Sequence, residues 1–448
     1  MKRLNILAIA YACSPLRGSE DGVGWGWVNV IAESHKVTVI TADYNAAEIE
    51  QYLATGTESA RNNLRFIYVK NKPWHYRPWG MWLKIEHSLA KPLMNIAYQD
   101  WLGHAFTRAQ REIEQSSYDL MHLITYVGWR FSGRFYQLGI PFVWGPIGGL
   151  KNTPWCLYSA LGIKGAIYYG GRNLINSLQM RFLRGPRRAL RKAQGAVIAA
   201  TSEIRDALQE RFGSSSRVIC EVGIPDVESV EPKRREKNEP LRICWSGIHL
   251  PGKALHLLLR AAAHFPEDMN YSLHILGDGP SIREWRALAK RIGVDGRCHW
   301  HGRLPRDQAL EVMKTCHAIA ITSLKELTST VALEGISLGL PVICLDHCGL
   351  ADLITNECGI KIPVHSMRQI ESDIAKALMA LYSDDGLRYR LAQGAITRSL
   401  QYSWQSKMTA LDGIYDLAIS RNGLATMEAR QSTIELVNEN DPAGSKCA

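Results

Sequence analysis

Two glutamates eight positions apart, Glu326 and Glu334, flank a run of hydroxyl residues, Thr328-Ser329-Thr330. The apolar run before them, residues 318–322, reads as a buried strand. The residues after them carry the spacing of a helix and stop at Gly339, just before Pro341. Hydroxyl side chains favour a helix start, and the backbone N–H groups there face outward as a ready anion site. Glu334 falls about two turns into that helix. Single glutamates are ordinary surface residues; their place at a strand-to-helix switch makes this pair a candidate for chemistry.

Other polar loops follow strand-like runs in the same half. Ser246-Gly247-Ile248-His249-Leu250-Pro251-Gly252-Lys253 supplies one cation, Lys253. Leu276-Gly277-Asp278-Gly279-Pro280 and His301-Gly302-Arg303-Leu304-Pro305 have the composition of tight turns. In the first half, Gly18-Ser19-Glu20-Asp21-Gly22-Val23-Gly24-Trp25 follows the first apolar run as a glycine-rich loop, and His122 lies in another such run. The ten cysteines include no CxxC pair, and Cys344 and Cys348 have no second pair at zinc spacing. They read as small buried thiols in a reducing compartment, and no metal site is expected.

The elements that must position these residues alternate along the chain. Strands are expected at residues 4–10, 37–41, 64–69, 120–124, 141–144 and 196–200, then at 241–245, 273–276, 298–301, 318–322 and 342–345. Segments with helical spacing separate them, which predicts parallel sheets covered on both faces. The pattern occurs twice, with the polar, Pro-bounded stretch PDVESVEPKRREKNEP between. The expected fold class is therefore α/β, two doubly wound Rossmann-like domains facing a cleft, and a chain of 448 residues suits two domains. The division reads as 1–224, a linker at 225–240, a second domain at 241–400, a helix at 401–420 that can cross back to the first domain, and a tail at 421–448 without regular structure. Ligands are expected beyond the carboxyl ends of the strands, in the cleft.

Charge is uneven. The formal net charge is +10, yet residues 1–224 carry 27 Lys+Arg against 16 Asp+Glu, and nine of the thirteen tryptophans. Between residues 120 and 202 there are eleven basic residues and no acidic one. That half is expected to meet an anionic or membranous partner. Residues 72–84 and 180–192 mix aromatic and basic side chains in the manner of an interfacial surface. No window of 18 or more apolar residues exists, so no spanning helix is expected. Residues 4–10, interrupted by Asn5, read as a first strand rather than a secretory signal.

Taken together, the motifs resemble the signature of family-4-type retaining glycosyltransferases of the two-Rossmann GT-B fold. Glu326, Glu334, Gly339, Pro341 and Val342 fill the family's paired-glutamate segment. Lys253 matches the lysine of its phosphate loop, while Ile248 stands where an arginine is usual, with His249 beside it as the alternative. Tyr11-Ala12-Cys13 and Gly145-Pro146-Ile147-Gly148-Gly149 are similar to members from bacterial exopolysaccharide and lipopolysaccharide clusters. The likeness covers roughly residues 4–420, strongest in the second half.

The resemblance implies transfer of a sugar, a hexose above all, from a nucleoside-diphosphate sugar, with Glu326, Lys253 and His122 at the reacting centre. It implies a donor site formed by Glu334, Thr328, Ser329, Thr330, Gly247, Gly277, Gly302 and Arg303, covered from the first domain by Gly22 and Gly24. His122 reads equally well as a structural histidine. Neither a cofactor nor a metal is implied, since lysine and helix N-terminus supply the positive charge. The implied acceptor is a saccharide, carried on polyprenyl diphosphate or free, met by a cytoplasmic protein lying on the anionic inner face of the membrane. An epimerase or hydrolase of sugar nucleotides is the alternative on this fold. A dinucleotide-binding enzyme is disfavoured because Gly22-Val-Gly24-Trp-Gly26-Trp27 lacks the third glycine of GxGxxG. A basic, non-catalytic nucleic-acid-binding protein is the remaining alternative, disfavoured because no nucleic-acid-binding motif accompanies the basic half, so no nucleic-acid partner is expected.

Overall fold

In the computed structural model, residues 2–55, 62–71, 87–224, 231–236 and 238–439 are described, without the side chains of 87–93, 164 and 422–439. The basic-aromatic stretch 72–84 lies outside the described residues, as do 225–230 of the linker and 440–448 of the tail.

The first sheet contains β1 (Asn5–Ala10), β2 (Lys36–Ala42), β3 (Leu64–Val69), β4 (Leu120–Thr125), β5 (Phe142–Ile147), β6 (Val197–Ala199) and β7 (Arg217–Val218), in the order β3-β2-β1-β4-β5-β6-β7. The second contains β8 (Leu241–Ser246), β9 (Tyr271–Leu276), β10 (Cys298–Gly302), β11 (Ala318–Ile321), β12 (Val342–Leu345) and β13 (Gly359–Ile362), in the order β10-β9-β8-β11-β12-β13. Every pairing is parallel. β4 and β5 are buried along their whole length, as strands covered by helices on both faces must be. The edge strands β7 and β13 are absent from the expected set: β7 is two exposed residues, and β13 is a half-buried run broken by Gly359 and Lys361, so neither reads as an apolar run.

Strand order reverses between β1 and β4 in one sheet and between β8 and β11 in the other. Loops leaving the carboxyl ends on either side of such a reversal diverge and open a crevice. Here those loops begin at Tyr11, Tyr126, Gly247 and Thr322.

The expected glycine-rich loop is not a loop. Ser19–Ser34 is a helix, and Gly22 and Gly24 lie within its first two turns. A Cβ on Gly24 would come within 1.9 Å of the Ala12 carbonyl, and one on Gly22 within 2.8 Å of the Arg17 carbonyl. These glycines let the helix press against the chain leaving β1. Close packing is what the geometry requires of them.

The closing helix, Trp404–Glu439, also departs from expectation. It runs through 421–439, a proline-free stretch with several strong helix formers, where a tail was expected. Its first half packs on the helix Ser19–Ser34 and on β4 and β5 of the first sheet. Reciprocal backbone bonds between Ile224 and the Tyr402–Trp404 segment, each 3.1 Å, anchor the crossing. The Trp404 ring fills the space left by Gly26 and Gly223.

Candidate functional site

Three glycines gather at the carboxyl ends of β8, β9 and β10. Gly277, at φ 112°, adopts a backbone that L side chains rarely take, and a Cβ there would stand 2.0 Å from the Gly247 carbonyl. Its N–H donates to the Gly302 carbonyl at 2.8 Å, while the Gly247 N–H donates to Leu276 at 3.1 Å. Gly247, Gly277 and Gly302 thus form one bare backbone shelf. Arg303, exposed, stands at its rim.

Lys253 ends a short turn, Pro251–Lys253, beyond that shelf. Its carbonyl accepts from the Thr322 hydroxyl at 2.9 Å, and the Leu324 N–H donates to Gly252 at 2.8 Å, so the loops after β8 and β11 are stitched together. The Lys253 ammonium is paired with the Glu326 carboxylate across this seam. Both remain partly open to solvent, 30% and 14% by side chain.

Glu334, in the helix Thr330–Ser337, accepts from Arg306 Nε at 2.8 Å. Burial pushes the Glu334 carboxyl up, and the Arg306 guanidinium opposes that shift. Arg306 opens the next helix after the Gly302-Arg303-Leu304-Pro305 turn and was not singled out from sequence.

The hydroxyl run is used differently from expectation. Ser329 is buried and turns its hydroxyl inward to cap the helix, accepting from the Ala332 N–H at 3.3 Å. The Thr328 N–H donates to Glu221 Oε1 at 2.9 Å, so a carboxylate of this chain already holds that amide. Thr330 is exposed at the helix start. Glu221 is buried, and its carboxyl is pushed up by burial, with Thr328 and Lys407 pulling the other way. No motif contains Glu221; only the tertiary contact reveals it.

His122 is corrected from a reacting group to a structural one. It is fully buried, with Nδ1 2.9 Å from the Tyr415 hydroxyl and Nε2 2.8 Å from the Gly145 carbonyl. Burial lowers its pKa to about 4, so it sits neutral at the junction of β4, β5 and the closing helix. His249 likewise does not replace the arginine missing at Ile248. It is fully buried among Trp245, Trp285 and Trp300, with ring centroids 5.4, 5.1 and 6.2 Å away, while Ile248 is exposed.

The first domain meets this seam closely. A Cβ on Gly148, in the loop after β5, would lie 2.5 Å from the Leu327 side chain, and Lys325 donates to the Lys151 carbonyl at 3.2 Å. Glu20, in the first turn of the opening helix, accepts from the Val127 N–H at 3.2 Å. Burial pushes the Glu20 carboxyl up to about 7, with Glu221 and Asp21 adding to the shift against the Val127 bond. Glu20 lies within the glycine-rich stretch 18–25, but its enclosure by the loop after β4 is visible only in three dimensions. A cavity of about 200 Å³ beside Lys233, Cys316, His317 and Arg388 lies at the amino end of β11, away from the carboxyl-end loops.

Two doubly wound domains, each built on a parallel sheet, are the architecture of the GT-B class of glycosyltransferase structures. Residues 226–398 match the family model for glycosyl transferases group 1. Among curated proteins it is 27% identical over 247 residues to the D-inositol 3-phosphate glycosyltransferase of Corynebacterium glutamicum (strain R), covering 51% of this chain and 58% of that one. The chain thus spans little more than half the length of that relative. Among solved structures, sucrose-phosphate synthase from Thermosynechococcus elongatus superposes with a TM-score of 0.60 at 16% identity, over 94% of this chain and 100% of that one. Anabaena Alr3699/HepE in complex with UDP-glucose gives 0.56 at 14% identity, over 93% and 100%. At these identities the likeness is one of fold.

Proposed function

We propose that the protein is a retaining glycosyltransferase of family-4 type that moves a hexose from a nucleoside-diphosphate sugar to a saccharide acceptor, lipid-linked or free, in bacterial surface polysaccharide biosynthesis. The observation that supports this most is the meeting of Lys253 with Glu326 at the switch point, inside the segment that matches the family. In this reading the diphosphate gives Lys253 a second anion to bind, and the ammonium stabilises the leaving group as charge develops on it. Glu326 accepts hydrogen bonds from the donor sugar and Glu334 from the ribose. The glycine shelf and Arg303 border the base. The departing phosphate oxygen takes the proton of the attacking acceptor hydroxyl, so the glycosidic bond forms as the anomeric C–O bond breaks. The enzyme works in the cytoplasm on the anionic inner face of the membrane, where its basic first half docks.

A thermal-shift panel of UDP, GDP, ADP and dTDP tests the donor assignment, since a ligand that binds the native state raises its stability. UDP comes first because a structural neighbour was solved with UDP-glucose. One diphosphate should raise Tm, and Lys253→Ala should reduce the shift at the same ligand concentration; no shift with any of them would remove the donor assignment. Candidate donors incubated without acceptor cover the alternative, because isomerised or fully hydrolysed sugar would favour an epimerase or hydrolase.

A further inference from the structure

The helix Gly162–Phe182 is turned inside out. Its packed side is mostly polar, with Met180 the one buried apolar side chain among the described residues of the helix. Asn173 and Asn176 are buried, and Asn173 exchanges hydrogen bonds with the backbone of Thr153 at 3.1 and 2.9 Å. Arg130 ties the same side by donating to Asn176 and, at 2.5 Å, to Gln179. The opposite side is apolar: Ile163, Ile167, Leu174, Leu178 and Phe182 are 83, 72, 62, 48 and 67% exposed. Their spacing of four, seven, four and four residues keeps them in one stripe. A solvent-facing helix surface is ordinarily polar, and a contiguous exposed apolar stripe marks an interaction site.

Charge says what covers it. Arg181 is exposed within the stripe, and the next helix, Arg184–Ala193, exposes Arg184, Arg188, Arg191 and Lys192. No acidic residue occurs anywhere from 120 to 202. A second copy laid on this face would bring like charges together. An anionic bilayer instead accepts the apolar row between its headgroups and holds the cations electrostatically. The location also fits. Leu157 and Leu161, just before the helix, are buried in the core of the second domain, and the Tyr169 hydroxyl stands 2.5 Å from where a Cβ on Gly252 would be. The stripe is therefore carried by a segment that spans both domains beside Lys253.

We propose that the outward face of the helix Gly162–Phe182, with the cations that follow it, is the surface by which this protein lies on an anionic bilayer. The inference deepens the reading above and rests on its membrane-side acceptor.

Full-length protein is sedimented with phosphatidylcholine vesicles, with and without phosphatidylglycerol, at low and high salt. Wild type should pellet with the anionic vesicles at low salt and less at high salt. The triple variant I167S/L174S/L178S, which alters exposed side chains and no charge, should partition at least about tenfold less. A second variant, R188A/R191A/K192A, should lose most of the salt-sensitive part. Wild type remaining in the supernatant with anionic vesicles at low salt would overturn the proposal, as would a serine variant that pellets like wild type. A wild-type dimer that the serine variant converts to monomer would also overturn it, in favour of a second copy. Nucleotide thermal shifts on the same preparations keep the two readings apart: loss of the shift in wild type sinks the donor assignment and leaves the vesicle result standing.

Discussion

Lys253 and Glu326 meet as an ion pair across the switch point of the second sheet, one from the loop after β8 and the other from the loop after β11. The pair closes the seam where the strand order reverses, and the glycine shelf lies beside it. Any anion that binds Lys253 must share it with this carboxylate.

The two residues should therefore separate on mutation. Lys253→Ala should weaken nucleoside-diphosphate binding by about ten- to a hundredfold, the loss of one or two charge-assisted hydrogen bonds. Glu326→Ala should leave that affinity equal or tighter, because the ammonium is released, while transfer is abolished. Calorimetric titration with the diphosphate and turnover on the same samples check both. Turnover retained in either variant removes that residue from the mechanism.

Gly24→Ala distinguishes packing from donor contact. A methyl group 1.9 Å from the Ala12 carbonyl cannot be accommodated without moving the opening helix, so the variant should lose about 2 kcal/mol or more with no ligand present. Urea unfolding measures this directly. Unchanged stability with weakened donor binding would restore the glycine to the donor site.

Glu221 joins the first domain to the donor-side loop through the Thr328 N–H. Removing a buried acceptor leaves that amide unpaired, so Glu221→Ala should cost about 1–3 kcal/mol. Amide hydrogen exchange at Thr328 should rise in step. Exchange as slow as in wild type would show that another group holds the amide.

Glu20 makes stability depend on pH in a stated direction. Its carboxyl is raised from 4.5 to about 7 in the folded protein. Between those values the folded state keeps a proton that the unfolded state has released. Its contribution is thus fully present below about 4.5 and is lost as pH rises through about 7. Glu20→Gln, which keeps an acceptor for the Val127 N–H, should remove that slope and gain on the order of 1–3 kcal/mol over wild type at alkaline pH. Urea midpoints of both proteins at acidic and alkaline pH decide it; parallel curves would place Glu20 in contact with water.

Local patterns along the chain carry the fold class and the strand positions. Alternation of apolar runs with helical spacing located the long strands and the doubly wound pair of sheets, because the periods of 2 and 3.6 are local properties of the chain. The same locality placed Glu326 and Lys253 at loops leaving strands and Glu334 in the helix that follows. Other features were decided only by contacts between distant residues. His122 is committed to Tyr415, 293 positions away, and Thr328 to Glu221, 107 positions away, and no window of sequence contains either pair. His249 stands beside the matched lysine loop in sequence, yet three tryptophans from separate segments enclose it. Gly24 looked like an open loop because its constraint is the Ala12 carbonyl across a helix contact. For the helix Gly162–Phe182, the packing of Asn173, Asn176 and Gln179 against Arg130 and Thr153 decided that its apolar stripe turns outward. Periodicity fixes which residues share a face; the direction of that face depends on which side finds hydrogen-bond partners in the rest of the fold.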